Sequence, residues 1–201
     1  MKAVMMSVQP EWCYKIGTKQ KSIEVRKSRP KLDTPFKCYI YCTSGEGLWK
    51  DGAVIWLNHQ QKEIRDIKFP ELLNGRVIGE FVCDFVHTYF WQQDESPFQD
   101  TGAYYLSPSD LRGSCLTHSD FENYGFDGMD FQTLYGWHIS DLKIYDEPLE
   151  ITQFIKPCPY DEICECCGEY FELEDCCKNA ALQIRRPPQS WYYVEEGVFS
   201  A

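Results

Sequence analysis

A carboxylate and two cations lie close together near the start of the sequence. Residues 22–26 alternate polar and apolar side chains, and this period predicts a strand whose successive side chains point to opposite faces. Glu24 and Arg26 therefore share one face, and Lys21 lies at the entrance of the strand. Arginine offers a planar donor fork for phosphate or carboxylate, and glutamate can accept from the amino group of a base. The spacing predicts a polar recognition site on a strand.

Two other interpretations fit the same three residues. A lysine beside an arginine can have a lowered pKa and act as a nucleophile or base. The carboxylate of Glu24 acts in the opposite direction, because a nearby opposite charge favours the charged ammonium of Lys21. An exposed strand with a Glu24–Arg26 ion pair, contributing only about 0–1 kcal/mol, would also produce this pattern.

Positive charge is concentrated in the first part of the chain. Residues 1–37 carry nine basic and three acidic side chains, a net charge of +6, whereas the whole 201-residue chain has a net charge of −11. A local positive region on an acidic protein suits a small anionic ligand or one nucleic-acid strand better than a long duplex. With 43% hydrophobic and 15% aromatic residues, the composition excludes a disordered chain.

The surrounding elements must position these side chains. Strand-like runs cover residues 2–8, 36–42, 76–86, 137–145 and 185–195, and a short helical turn covers residues 11–16. Residues 91–133 show weak periodicity and read as an insertion with one or two short helices, one starting near Ser107 and one with a capping box from Ser119 to Glu122. Several strands with few helices predict an α+β fold, a small twisted β-barrel with flanking short helices.

The first segment resembles the ASCH family of the PUA-like superfamily. The sequence Gln9-Pro10, a short helix and then Lys21, Glu24 and Arg26 keep the K-x-x-E-x-R part of the motif G-x-K-x-x-E-x-R. Lys19 occupies the place of the motif glycine. Residues 39–41, 77–81 and 137–145 resemble later strands of that family, and the chain as a whole is similar to ASCH-domain proteins of bacteria and phages.

The resemblance implies a barrel with a cleft that Gln9, Lys21, Glu24 and Arg26 would line. It implies a module that binds RNA or a nucleotide-like ligand. One ASCH branch resembles amidohydrolases of acylated cytidine that use a lysine, a threonine and a glutamate. Lys21 and Glu80 match two of these, and Glu24 occupies the threonine position. A hydrolase acting on a modified nucleoside or on RNA is therefore an alternative. A phage or bacterial protein-interaction module is a second alternative.

Three segments are predicted from these patterns. Residues 1–150 form the PUA-like domain with the insertion at about 91–133, residues 151–184 form a cysteine-rich insertion, and residues 185–201 return as a strand and tail that pack on the domain. The chain shows no secretory signal and no apolar run of the roughly 20 residues needed to span a membrane. Eleven cysteines without such a signal predict thiols or metal ligands in the cytoplasm.

The cysteine-rich segment predicts a structural zinc site. Cys164 and Cys167 form a C-x-x-C pair, and a closed tetrahedral site needs four thiolates. Two more cysteines within the same segment complete the predicted set, which is Cys158, Cys164, Cys167 and Cys176, with Cys166 or Cys177 as substitutes. The alternative is an acidic loop with reduced thiols. The four histidines are isolated in the sequence and are expected to be structural, with His138 the most notable because it follows Trp137 in a predicted strand.

Overall fold

The structure is a computed structural model, and it describes residues 2–43, 74–93, 102–157 and 182–197. The chain divides into two compact units. Unit 1 comprises Met1–Tyr14, Lys37–Phe81 and Lys143–Ala201, and unit 2 comprises Lys15–Phe36 and Val82–Leu142. In chain order the described elements are β1 (Lys2–Val8), α1 (Pro10–Gly17), β2 (Ile23–Arg26), β3 (Phe36–Cys42), β4 (Arg76–Cys83), β5 (Val86–Tyr89), β6 (Trp91–Gln93), β7 (Gly102–Tyr104), α2 (Pro108–Ser114), α3 (His118–Gly125), β8 (Leu134–His138), β9 (Ser140–Leu149), a 3₁₀ turn (Ile151–Gln153) and β10 (Trp191–Glu195).

A five-stranded sheet in the order β10-β1-β3-β4-β9 underlies unit 1. The strand β1 pairs antiparallel with β10 and parallel with β3. Residues 3–8 are all buried, which agrees with the continuous apolar run of a strand that is covered on both faces. The main core of this unit includes Met5, Tyr39, Val77 and Phe154.

The glycine in β4, Gly79, lies at a close approach between two strands. A Cβ atom on Gly79 would lie 2.5 Å from the carbonyl oxygen of Lys143 in the neighbouring β9. Real Cβ atoms do not approach a backbone oxygen so closely, so β4 and β9 pair here only because this residue has no side chain. The predicted strand over residues 76–86 is interrupted, because β4 ends at Cys83 and β5 begins at Val86.

Unit 2 contains a three-stranded antiparallel sheet in the order β2-β8-β5 and a β6–β7 ribbon. Aliphatic and aromatic side chains of this sheet and of the predicted insertion form one core, which consists of Ile23, Val25, Tyr89, Tyr104, Phe121 and Leu134. The insertion is therefore part of the same packed unit as the charged strand.

Two short helices lie in the predicted insertion, and both begin with a capping box. Ser107 caps α2 together with Asp110, as the sequence predicts. The predicted box from Ser119 to Glu122 is wrong, because Thr117 is the N-cap of α3 and Asp120 is its partner. The Asp120 carboxylate accepts the backbone N–H of Thr117 at 2.8 Å, so the helix has already begun when the chain reaches Ser119.

The mixed α+β class is confirmed. The sheets formed by the described residues remain open, so the closed barrel stays a prediction, as does the three-segment division of the chain. None of the helices in the described ranges is long and apolar enough to cross a membrane.

Candidate functional site

Three charged side chains meet in the interior of unit 2, and Lys21, Glu24 and Arg26 are together called the polar cluster. Their exposed fractions are 3%, 6% and 8%, respectively. One carboxylate oxygen of Glu24 lies 2.9 Å from Nη2 of Arg26, and the other lies 3.5 Å from Nζ of Lys21. The exposed ion pair that the sequence allowed is therefore excluded, and two cations share one carboxylate in a buried site.

The turn before β2 brings Lys21 to the cluster. The carbonyl of Lys15 accepts the backbone N–H groups of Gln20 and Lys21 at 2.8 and 2.9 Å, which closes the end of α1. Lys19, in the place of the motif glycine, has a φ of 60°. This is the left-handed region that glycine adopts at little cost, so the backbone takes a glycine-like conformation although the residue carries a side chain.

The short helix α2 fixes the other end of Lys21. The ammonium donates to the carbonyl oxygen of Ser114 at 2.6 Å, and the backbone N–H of Ser22 donates to the carbonyl of Gly113 at 2.8 Å. A Cβ atom on Gly113 would lie 2.9 Å from the Ser22 hydroxyl oxygen. The absence of that atom lets the helix end lie directly on the strand, so the backbone carbonyl of Ser114 can reach the lysine.

Burial controls the protonation of Lys21. Burial lowers the pKa of its ammonium, and this effect outweighs the charge and hydrogen bond of Glu24, which raise the pKa. The sequence indicated the opposing effect of Glu24 but gave no information on the desolvation inside the unit, which outweighs it. Lys21 therefore releases its proton more readily than an exposed lysine.

An aromatic ring at the surface lies near the polar cluster. Tyr124, at the end of α3, is partly exposed, and its phenol is close enough to Arg26 and Glu24 to be affected by both charges. The ammonium of Lys27, an exposed residue, lies 5.2 Å from the centroid of the Tyr124 ring. Sequence reasoning missed Tyr124, because its proximity to β2 depends on how α3 packs and no local pattern reports it.

The remaining predicted site residues lie elsewhere. Gln9 is exposed and precedes α1 in unit 1, where its carbonyl accepts the backbone N–H of Cys13 at 3.0 Å. Glu80 also belongs to unit 1, where it accepts from the hydroxyl of Tyr145 at 2.7 Å and lies 3.7 Å from Nζ of Lys37. Neither belongs to the same unit as the polar cluster.

The predicted zinc ligands, Cys158, Cys164, Cys166, Cys167, Cys176 and Cys177, lie outside the described residues. Within the described ranges, no group of three or more histidine, cysteine or carboxylate side chains is arranged to hold a metal ion. The cysteines that are described are free thiols, and Cys13, Cys38, Cys42 and Cys83 are buried.

A cavity of about 640 Å³ lies in unit 1 and is a competing candidate. Lys156, Arg185, Arg186 and Tyr192 are among the residues that line it. Its three cations suit an anionic group, so any binding test of the polar cluster needs a control at this cavity.

Comparison with solved structures gives similar chains from Zymomonas mobilis. A mutant ZmASCH protein is 15% identical, and the match covers 98% of this chain and 92% of that chain with a TM-score of 0.50. A second mutant is 13% identical, with 96% and 89% covered and a TM-score of 0.49. ASCH from the same organism is 15% identical, with 96% and 88% covered and a TM-score of 0.45.

No protein-family model matches the chain, and no curated protein matches it either. The first structural match spans almost the whole of both chains and agrees with the resemblance seen in the charged segment. The chain therefore has the fold of an ASCH-domain protein.

Proposed function

We propose that this ASCH-fold protein binds RNA or a nucleotide-like ligand at the polar cluster. The observation that carries the proposal is a cluster of three buried charged side chains, in which Glu24 lies between Arg26 and Lys21. Charged groups are costly to bury, and buried charges with perturbed protonation are concentrated at binding and catalytic sites. The donors of Arg26 and Lys21 suit a phosphate or a carbonyl oxygen of a base.

Each residue of the site has a separate role in this proposal. The planar guanidinium fork of Arg26 has the geometry that suits a phosphate or a base oxygen. Glu24 accepts from the amino group of a base, as a carboxylate does with cytosine. The ring of Tyr124 offers a stacking surface beside the cluster, and Lys27 supplies a second positive charge there. Gln9 is proposed as a further ligand contact, as the family resemblance implies. The resemblance also implies a closed PUA-like barrel, which we retain as part of the proposal.

Equilibrium binding of a labelled single-stranded RNA tests the proposal. Arg26→Gln and Tyr124→Leu are compared with the wild type, and Arg185→Ala serves as the matched control at the cavity of unit 1. Loss of a hydrogen bond to a charged group costs about 1.5–3 kcal/mol, so Arg26→Gln should weaken binding roughly 10- to 150-fold. Loss of stacking on Tyr124 should cost about 1–3 kcal/mol.

The control identifies which site binds. If Arg185→Ala reduces affinity while Arg26→Gln and Tyr124→Leu leave it unchanged, the ligand occupies the cavity and the proposal fails. Thermal unfolding of each variant shows whether the loss of binding reflects loss of the fold.

A hydrolase of a modified nucleoside is the second candidate, and the lowered pKa of Lys21 favours it. A more readily deprotonated amine is a better nucleophile or base. Glu80 stays in this candidate function as the partner carboxylate that the family resemblance implies. Release of cytidine from an acylcytidine, abolished in Lys21→Met but retained in Arg26→Gln, would support this candidate. An absence of turnover by the wild type would exclude that substrate class.

We also propose a structural zinc ion, with Cys158, Cys164, Cys167 and Cys176 as its ligands. A reducing cytoplasmic location is a further part of the proposal, and the free thiols of the described cysteines agree with it. Metal analysis of protein purified without chelators should give about one zinc per chain. A content below about 0.5 equivalents would contradict the four-cysteine site.

A further inference from the structure

Three cations line the cavity of unit 1, and the polar cluster belongs to the other unit. Lys156, Arg185 and Arg186 are all exposed, and they are together called the cation set. Among the described residues, none of the three takes part in an ion pair, whereas Arg76 of the same unit lies 2.7 Å from a carboxylate oxygen of Glu150. The charged groups of the cation set are therefore placed to contact a bound anion.

Two backbone hydrogen bonds join the segments that carry the cation set. The backbone N–H of Lys156 donates to the carbonyl of Leu182 at 2.8 Å, and that of Ile184 donates to the carbonyl of Phe154 at 2.9 Å. Phe154 and Ile184 are 0% and 1% exposed, and both belong to the main core of unit 1. The two arginines follow Ile184 directly, so the start of their loop is fixed by the core.

The end of the arginine loop is also fixed. The hydroxyl of Ser7 donates to the carbonyl of Pro188 at 2.6 Å, and the backbone N–H of Ser7 donates to the carbonyl of Ser190 at 2.9 Å. The phenol of Tyr192 donates to the carbonyl of Arg186 at 3.0 Å. Because the loop is held on both sides, little backbone freedom is lost when an anion binds to it.

The rest of the cavity wall is apolar or neutral. Ile184, Pro187 and Tyr192 line it beside the cation set, together with Gln183, and none of the described lining residues is acidic. Burial raises the pKa of the Tyr192 phenol, so this group adds no negative charge at pH 7. The volume of about 640 Å³ lies within the range of about 300–1,000 Å³ that is typical of small-molecule sites. The cavity therefore has room and apolar surface for an organic group next to the anion.

We propose that this cavity is a second binding site, which takes a small organic phosphomonoester independently of the polar cluster. The cation set holds the phosphate, and the wall at Ile184, Pro187 and Tyr192 contacts the organic group. A phosphomonoester carries a charge of about −1.5 to −2 at pH 7 and three strong acceptor oxygens. Arginine binds such a group through two parallel hydrogen bonds, and lysine binds it as a point charge. A dianion therefore matches three neighbouring cations better than a monoanion does.

Calorimetric titration of the full chain with phenyl phosphate at low ionic strength tests the proposal. The variants are Arg185→Gln and Arg186→Gln, and the matched control is Lys143→Gln, which removes an exposed cation of the same unit outside the cavity. Loss of a hydrogen bond to a charged group should weaken binding about 10- to 150-fold in each arginine variant, with no change in the control. An equal loss in all three variants would show general attraction to positive charge and would overturn the proposal.

Two related ligands test the chemical class. Phenyl sulfate keeps the ring but carries a single charge, and methyl phosphate keeps the dianion but lacks the ring. Phenyl phosphate should bind more tightly than phenyl sulfate, and at least about tenfold more tightly than methyl phosphate because of the apolar surface that its ring buries. Equal affinity for phenyl sulfate would overturn the preference for a dianion. Equal affinity for methyl phosphate would show that the cavity holds only an anion, and would overturn the organic class of ligand.

The same titration distinguishes this proposal from the proposed function. Phenyl phosphate binding that is lost in Arg26→Gln but kept in both arginine variants of the cavity would place the phosphate at the polar cluster, and would overturn the second site alone. An absence of phenyl phosphate binding at millimolar concentrations would also overturn the second site, while the affinity for labelled RNA reports on the polar cluster separately. Arg185 and Arg186 are exposed, so their variants should fold like the wild type, and thermal unfolding checks this.

Discussion

Replacing Glu24 with glutamine removes the only anion of the polar cluster and keeps the shape of the side chain. In the wild type, Glu24 faces Arg26 at 2.9 Å and Lys21 at 3.5 Å, and all three side chains are at most 10% exposed. At an effective dielectric constant of about 20, each attraction is on the order of 5 kcal/mol. Desolvation of the ions offsets most of this, at several kcal/mol for each ion.

The loss of stability in Glu24→Gln is caused by the two cations that stay buried. Two cations are left in the interior without their shared counter-ion, and breaking a buried pair in this way costs about 3–5 kcal/mol of unfolding free energy. For a chain of this size, 1 kcal/mol corresponds to about 2–4 °C, so the melting temperature should fall by roughly 6–20 °C. Lys21→Met removes one cation and leaves the Arg26 pair intact, so it should cost no more than about 2 kcal/mol.

Urea unfolding at several pH values measures these costs. The folded-state pKa of Lys21 is lowered, so the unfolded chain binds more protons between that pKa and the ordinary value of about 10.4. Stability contributed by this group therefore rises with pH through that window. Without Glu24, the pKa should fall further, so the defect of Glu24→Gln should shrink between pH 7 and pH 10.

The double variant Lys21→Met/Glu24→Gln completes a thermodynamic cycle. Glu24→Gln should cost at least about 1 kcal/mol less when Lys21 is already methionine, because only one cation then loses its partner. Two results would refute the conclusion that Glu24 is buried and paired with both cations. One is a loss of unfolding free energy below about 1 kcal/mol in Glu24→Gln at pH 7. The other is an equal loss in the wild-type and Lys21→Met backgrounds.

Three further changes test the framework around the site by the same unfolding measurement. Lys19→Gly should raise the unfolding free energy by about 0.5–1 kcal/mol. The glycine relieves the cost of the left-handed backbone conformation, but it also adds conformational entropy to the unfolded chain. An equal gain in Lys19→Ala would contradict this explanation. Gly79→Ala should lower it by about 1–3 kcal/mol because the new Cβ meets the carbonyl oxygen of Lys143, and a neutral result would show that β4 and β9 are less close. Ser107→Ala should cost about 1 kcal/mol at pH 7. Burial raises the pKa of Asp110, but hydrogen bonds from Ser107 outweigh it and leave the pKa lowered, so the contribution is present above about pH 3.9 and is lost as the pH falls through the folded pKa. A loss that is independent of pH would contradict that linkage.

Local patterns were sufficient for the elements that carry the charges. The alternation around Glu24 predicted the strand β2, and the strand-like run over residues 2–8 predicted β1. These features depend on residues within a few positions of one another. The capping box at Thr117 was misplaced because Ser119 and Glu122 satisfy the same pattern two residues later, and only the path of the chain separates the two choices.

The sequence by itself determined the K-x-x-E-x-R spacing, the strand that carries it and the local positive charge. Only the tertiary structure decided that Lys21, Glu24 and Arg26 are buried, because their burial depends on α2 and α3, which lie about 90 residues further along the chain. The same packing lowers the pKa of Lys21, brings Tyr124 to the cluster and places His87 against Asp110. Desolvation and contacts between distant segments leave no local pattern, so the chemistry of the charged strand emerges only when the insertion folds over it.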